Sequence, residues 1–252
     1  MMRTIAIINM KGGCGKTTTA VNMGYILAKD YGKKVLLIDN DKQGNLSKSC
    51  GAWGYDSPSL ADVFVGEKHI TEVMKKIKEE EAMAIVPANM HLLTANLMVS
   101  KDEEREQTTI LSKELESVSE VFDYCIIDCP PDINVSVINA LVAADEVVIP
   151  LKIDGYAFDG MEELEQQIEN AKQLNHKLKF KGCLITMYYN RDVCRQGEAW
   201  LQHQRYPVFK THIRRTEKVD EVTFTNESLM EYSPRSGAAR DYKMFVKEYL
   251  EE

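Results

Sequence analysis

Lys11-Gly12-Gly13-Cys14-Gly15-Lys16-Thr17-Thr18-Thr19 gathers the residue types that hold a polyphosphate. The run follows an apolar stretch, Thr4 to Asn9, and precedes a helical pattern from Thr18 to Lys29. In that strand–loop–helix setting, glycines let successive backbone N–H groups converge on phosphate oxygens. The new helix turns its positive dipole end to the same point. Gly12, Gly13, Cys14, Gly15, Lys16, Thr17 and Thr18 are therefore the expected phosphate cradle. Lys16 is expected to reach the β- and γ-phosphates, and the Thr17 hydroxyl to ligate Mg²⁺. The spacing G-x-x-x-x-G-K-[ST] is not met, because its first glycine position falls on Met10. The run reads K-G-G-x-G-K-[ST], and its added residue type is a second lysine, Lys11.

Two further runs end in carboxylates. Val35-Leu36-Leu37-Ile38 has the continuous apolar character of a buried parallel strand and leads into Asp39-Asn40-Asp41-Lys42-Gln43-Gly44-Asn45. Carboxylates at the carboxyl end of such a strand stand where α/β sheets put their ligands; a plain Asp/Asn/Gly turn would look similar on its own. Phe122 to Ile127 is a second apolar strand, ending in Asp128-Cys129-Pro130-Pro131. Asp128 is placed to hold Mg²⁺ through water. The proline pair forbids further ladder pairing and forces a loop, which can sense a γ-phosphate.

The elements that must position these groups alternate. Helical patterns are expected from Ser57 to Ile77, from about Leu92, around Ile110 to Val118, over Val135 to Ala144, Phe158 to Leu174 and Ala238 to Leu250. Strands are expected at Ala84 to Pro87, Glu146 to Leu151, Lys181 to Met187 and, last, Val208 to Ile213. Lys75 to Glu81 reads as a solvated charged helix end. Strand alternating with helix implies an α/β fold, a mostly parallel sheet with helices on both faces. No repeat or linker interrupts the 252 residues, so 1–252 is expected to be one domain. No extension precedes the first strand, so a separate operator-binding domain is not expected. No run approaches the roughly 18 apolar residues of a membrane span, and no signal-peptide pattern opens the chain; the expected location is the cytoplasm. Six cysteines lack the paired clusters of a zinc site. Cys125 and Cys129 flank a buried strand and read as core residues, and Cys14 as a bystander in the loop.

Together these motifs resemble the ParA/MinD class of deviant Walker A P-loop ATPases, and most closely its Soj-like ParA partition members. The resemblance covers nearly the whole chain: Lys11 to Thr19, Asp39 to Asn45 (Lys42 stands where the family has proline), Val86 to Asn89, Asp128 to Pro131, Asn139 to Asp145, Thr186-Met187-Tyr188 and Tyr232 to Ala238. Ser228 and Arg214 also replace family prolines. The resemblance implies ATP and Mg²⁺ bound between two subunits of a homodimer. Lys11 would reach the partner's phosphates, Asp41 would position the attacking water, and Asp39 would support the water and Mg²⁺ network beside Thr17 and Asp128. Met187 and Arg215, on loops bordering the base, would contact nucleotide, and Arg191 is open to the same role in place of DNA contact. Turnover would be slow until a ParB-like partner stimulates it.

The resemblance also implies non-specific DNA binding in the ATP state, serving plasmid or chromosome partition on the nucleoid. The net charge is −8, yet between Lys172 and Lys218 there are 11 Lys and Arg against 3 Asp and Glu. Arg191 and Lys218 occupy positions where the family places DNA-contacting residues; Lys181, Arg195, Arg214 and Arg235 are further candidates. A solvated basic face balancing an acidic body is the plainer reading of the same residues. A MinD-like ATPase positioning cargo on a membrane or protein surface is the alternative. It would need a basic amphipathic carboxyl-terminal helix, whereas this one ends Lys247-Glu248-Tyr249-Leu250-Glu251-Glu252, so no membrane partner is expected. A nitrogenase-iron-protein arrangement would need cysteines bridging a cluster, and Cys125 and Cys129 instead bracket Asp128.

Overall fold

The computed structural model describes residues 2–77, 80–154 and 160–251. Among them, the strands are β1 (Arg3–Ile7), β2 (Val35–Asp39), β3 (Lys75–Ile77), β4 (Glu80–Val86), β5 (Tyr124–Asp128), β6 (Glu146–Lys152) and β7 (Lys179–Thr186). They form one sheet in the order β3-β4-β2-β5-β1-β6-β7, parallel except for the β3–β4 pair at one edge. The helices are α1 (Lys16–Lys29), α2 (Asn45–Ser49), α3 (Leu60–Val65), α4 (Ile70–Val73), α5 (His91–Lys101), α6 (Ile110–Glu116), α7 (Val135–Ala143), α8 (Met161–Leu174), α9 (Asp192–His203), α10 (Glu217–Thr225), α11 (Leu229–Tyr232) and α12 (Gly237–Glu251).

The central strands read as unbroken apolar runs because helices cover both faces. Strand side chains alternate, and the alternation divides the core. Ile5, Ile7, Leu37, Ile126 and Val148 pack with α1 and α12, including Ile26, Tyr242 and Phe245. Ala6, Ile8, Leu36, Ile38, Ile127 and Ile149 pack on the other face with residues of α3 and of α5 to α8. Each fully buried Leu or Ile contributes about 1.5–3 kcal/mol, so the sheet is a rigid platform. Asp39 pairs with Asp128 in register, and Asp128 with Ile7. The loops after β1, β2 and β5 thus emerge side by side at the carboxyl edge.

Several local expectations are corrected. Ser57 to Ile77 is not one helical stretch: α3 is closed by left-handed Gly66, α4 ends at Val73, and Lys75 to Ile77 is the antiparallel edge strand. The charged Lys75 to Glu81 stretch therefore includes strand residues; Lys78 and Glu79 lie outside the described residues. An edge strand tolerates the lysines that suggested a helix end, because one side faces solvent. Val208 to Ile213 forms only isolated bridging with the β7 region, at Val208, followed by Arg214. Pro207 offers no N–H there, and Phe209 and Ile213 turn into the core under α12. Phe158, where α8 was expected to begin, lies outside the described residues. Among the described residues no helix is long and apolar enough to cross a membrane. The apolar side of α12 is spent on the sheet, with Tyr242, Phe245, Val246 and Tyr249 buried.

Candidate functional site

The loop between β1 and α1 holds its shape through backbone no side chain would favour. Gly13 and Gly15 have φ of 70° and 88°, left-handed values that cost an L residue energy. Thr186, at the end of β7, donates its hydroxyl to the Cys14 carbonyl at 2.7 Å and ties the loop to the sheet. Lys16 is 8 % exposed and donates Nζ to the Lys11 carbonyl at 3.0 Å. Cys14 is buried, its thiol 3.2 Å from the same carbonyl, and burial pushes that thiol up, disfavouring the thiolate.

A cavity of about 520 Å³ opens above this loop, within the usual size of a small-molecule site. Gly12, Gly13, Gly15, Lys16, Thr17 and Thr18 line one end, and Asp41 and Pro131 lie beside them. Met187 lines it from the end of β7, and Val219, Asp220 and Thr223 of α10 line it too. Arg215 is not in this lining; it borders an adjoining cleft of about 220 Å³ that shares Gly15, Thr18 and Met187. Met187 has φ of 50°, a conformation rare without glycine and common where a chain is held for function.

Asp39 and Asp128 sit behind the cavity, 0 % and 1 % exposed. Asp39 accepts from Ser47 N at 2.8 Å, Ser47 Oγ at 2.6 Å and Asp41 N at 3.1 Å. Burial still pushes its carboxyl up to about 6. Asp128 is held well above the usual carboxylate range, first by burial and then by the charge of Asp39, against a bond from Thr17 and the charge of Lys16. Its Oδ1 is buried without a hydrogen-bond partner among the described residues. Two adjacent buried carboxylates, one with an orphaned oxygen, beside a threonine hydroxyl, fit a hard divalent cation with oxygen ligands.

Lys11 is elsewhere. It does not line the cavity, and its ammonium is ion-paired with Asp154. Asp154 also lies 3.5 Å from Lys152 Nζ. The basic candidates spread over the β7 edge and the segments after it. Arg191 and Arg215 both lie against the exposed Tyr189 ring, 5.4 and 5.9 Å from its centroid. Arg195 pairs with Asp192 and Lys218 with Glu221, exposed contacts on single helices. Lys181 lies over the Tyr249 ring, and Arg235 is exposed. Arg214 is committed to Asp241 through Nε at 2.7 Å and Nη2 at 2.8 Å, which makes it an anchor for α12 before anything else.

Lys48, Asn45 and the α10 residues were not anticipated. Gly44 starts α2, so Asn45 and Lys48, three apart, share a helix face toward the cavity; that spacing was readable. α10 buries only Val222, too little periodicity to mark a helix.

The AAA domain family matches residues 2–180. The sporulation initiation inhibitor protein Soj of Bacillus subtilis is 36 % identical over 98 % of both chains. The chromosome-partitioning ATPase Soj of Treponema pallidum is 35 % identical over 99 % of this chain and 98 % of its own. Among solved structures, a cobyrinic acid a,c-diamide synthase of Mycobacterium smegmatis, with a bound ATP analogue and magnesium, superposes with a TM-score of 0.84 at 30 % identity, covering 98 % of this chain and 93 % of the other. Phosphate loop, sheet order and full-length similarity agree: the chain belongs to the ParA/MinD family of deviant Walker A ATPases, alongside the Soj partition proteins.

Proposed function

We propose that residues 1–252 form one P-loop ATPase domain that dimerises on ATP and, as a dimer, binds DNA without sequence preference to drive partition of a replicon. The observation that supports it is the division of labour between the two loop lysines: Lys16 lines the cavity of its own subunit, while Lys11 does not. A second loop lysine that stays out of its own cavity, ion-paired with Asp154, would exchange that carboxylate for a partner's phosphates. There it would add positive charge where the transferring group is negative.

Gly12 to Thr18 would bind and orient the phosphates, and Met187, with Arg215 at the adjoining cleft, would border the base. Thr17 and Asp128 would hold Mg²⁺, which when bound supplies positive charge at the β- and γ-phosphates. Both oxygens of Asp39 already accept hydrogen bonds, so it acts from behind by fixing the Asp41 backbone. Asp41, half-buried at the cavity wall, would orient the attacking water. Arg191, Lys218, Lys181, Arg195 and Arg235 would contribute phosphate contacts, with Arg214 a lesser one because of Asp241. Doubling these contacts on dimerisation raises affinity steeply through counterion release. A ParB-like protein would stimulate turnover, and the dimer would work on the nucleoid in the cytoplasm.

The test is binding of a non-specific DNA duplex with ATP, with ADP and without nucleotide, over a salt series. Binding only with ATP, weakening steeply as salt rises, is the expected result. A dimer that forms on ATP and binds no duplex in any state would end the DNA reading.

A further inference from the structure

Lys48 is a cation of the nucleotide cavity that the motifs do not account for. Among the described residues, the cavity lining holds two cations, Lys16 and Lys48. Lys48 stands in α2, one helical turn past Gly44, and α2 continues the turn that carries Asp41. In that turn Gly44 N–H donates to the Asp41 carbonyl at 2.8 Å, and Gln43 N–H to Asp41 Oδ1 at 2.9 Å. Lys48 Nζ donates to the Gln43 carbonyl at 2.8 Å, which clasps the ammonium to the same turn.

An aromatic ring forms the rest of the clasp. Lys48 Nζ lies 5.4 Å from the centroid of the Trp53 ring. The chain is pinned on both sides of Trp53: the Ala52 carbonyl accepts from Lys75 Nζ at 3.0 Å, and the Gly54 carbonyl from the Asn89 amide at 3.2 Å. Trp53 is 43 % exposed and Lys48 is exposed, and at an exposed site a cation–π contact is a weak hold. An ammonium has three donors, and the Gln43 carbonyl takes one of them. A phosphate oxygen makes a charge-assisted bond, roughly twice as strong as a neutral one. The clasp therefore yields to a phosphate that comes within reach.

Strand order decides which phosphate that is. The sheet runs β2-β5-β1-β6-β7 through its centre, so the loops after β2 and after β7 flank the phosphate loop on opposite sides. Met187 and Arg215, which border the base, follow β7. A triphosphate seated after β1 with its base on the β7 side turns its terminal phosphate to the β2 side, where Asp41 and Lys48 line the cavity.

We infer that Lys48 is a γ-phosphate contact: its ammonium leaves the Trp53 face for the terminal phosphate and thereby distinguishes a triphosphate from a diphosphate. There it adds positive charge beside Asp41, at the phosphate that the oriented water attacks. The inference rests on the ATP reading above.

The probes are β,γ-imido-ATP and ADP, each with Mg²⁺, with affinities measured by calorimetry. Lys48→Met keeps an unbranched stem over the ring and removes the charge. It is expected to weaken the triphosphate analogue roughly tenfold or more, the loss of one hydrogen bond to a charged group, and to leave ADP binding unchanged, which also shows that the variant is folded. Lys48→Arg keeps a phosphate-binding cation and is expected to retain the analogue. Lys42→Met removes a charge from the same loop outside the cavity, where Lys42 pairs with Asp132, and is expected to alter neither affinity. The second readout is Trp53 emission in a Trp200→Phe background, since the chain has two tryptophans. The analogue is expected to change that emission, ADP to leave it, and Lys48→Met to abolish the response. Equal weakening of both nucleotides, weakening of neither, the same shift in Lys42→Met, an emission change shared by ADP, or one that survives Lys48→Met overturns the inference while the ATP reading stands. Wild type that binds neither nucleotide fails the ATP reading and overturns the inference with it.

Discussion

Asp128 is buried with one oxygen unpaired and Asp39 beside it, so its charge is tolerable only if something neutralises it. Asp128→Asn removes that charge and keeps the shape. The metal-free variant is expected to be more stable than wild type at neutral pH, because the buried charge and its repulsion from Asp39 are gone. It should gain nothing further from Mg²⁺, whereas wild type melts higher with Mg-ATP than with ATP and a chelator. Equal stabilisation of both proteins by Mg-ATP would remove Asp128 from the cation site. Lys16→Ala tests the other side of the charge balance: nucleotide binding is expected to vanish in calorimetry with the circular dichroism spectrum unchanged.

The short helix α2 does more than its five residues suggest. Ser47 donates from both N and Oγ to Asp39, while its Oγ accepts from Ala88 N at 2.9 Å, so one hydroxyl ties the carboxyl ends of β2 and β4 together. Gly44 sets the helix start at φ 66°, where an added Cβ would lie 2.5 Å from the Trp53 ring and 2.9 Å from the Ala88 carbonyl. Ser47→Ala is expected to lower stability by about 1–3 kcal/mol, because a buried carboxylate and an amide both lose a partner. It should appear as a lower denaturant midpoint at unchanged slope. An unchanged midpoint would mean that Asp39 does not depend on α2.

On the scale of the whole molecule, two surfaces should separate by mutation. Lys11→Ala is expected to retain ATP but lose the stable dimer; an undiminished dimer in sedimentation would refute the cross-subunit role. Arg191→Glu with Lys218→Glu is expected to leave the dimer intact and remove DNA binding, with unchanged affinity at low salt sinking the assignment. Both positions are exposed, and the Lys218–Glu221 pair is a solvent-facing contact worth little to stability, so the double variant should fold.

The chain's order of apolar strands and helical segments sufficed to imply a mostly parallel sheet under two layers of helices, and that is the sheet it forms. The phosphate loop was legible because its geometry is local: glycines, lysine and threonine act within one turn of the same strand–helix junction. The stretch from Ser57 to Ile77 misled because short apolar groups at helical spacing look alike whether or not a glycine such as Gly66 divides them. The helices α9 to α11 stayed hidden because they bury few side chains. Other relations belong to the tertiary structure alone. Lys11 meets Asp154 across 143 residues of sequence, Arg214 meets Asp241, and Asn40 reaches Ser136 across 96. Motif and periodicity report what a residue does with near neighbours; strand order decides which distant loops become the two sides of one wall.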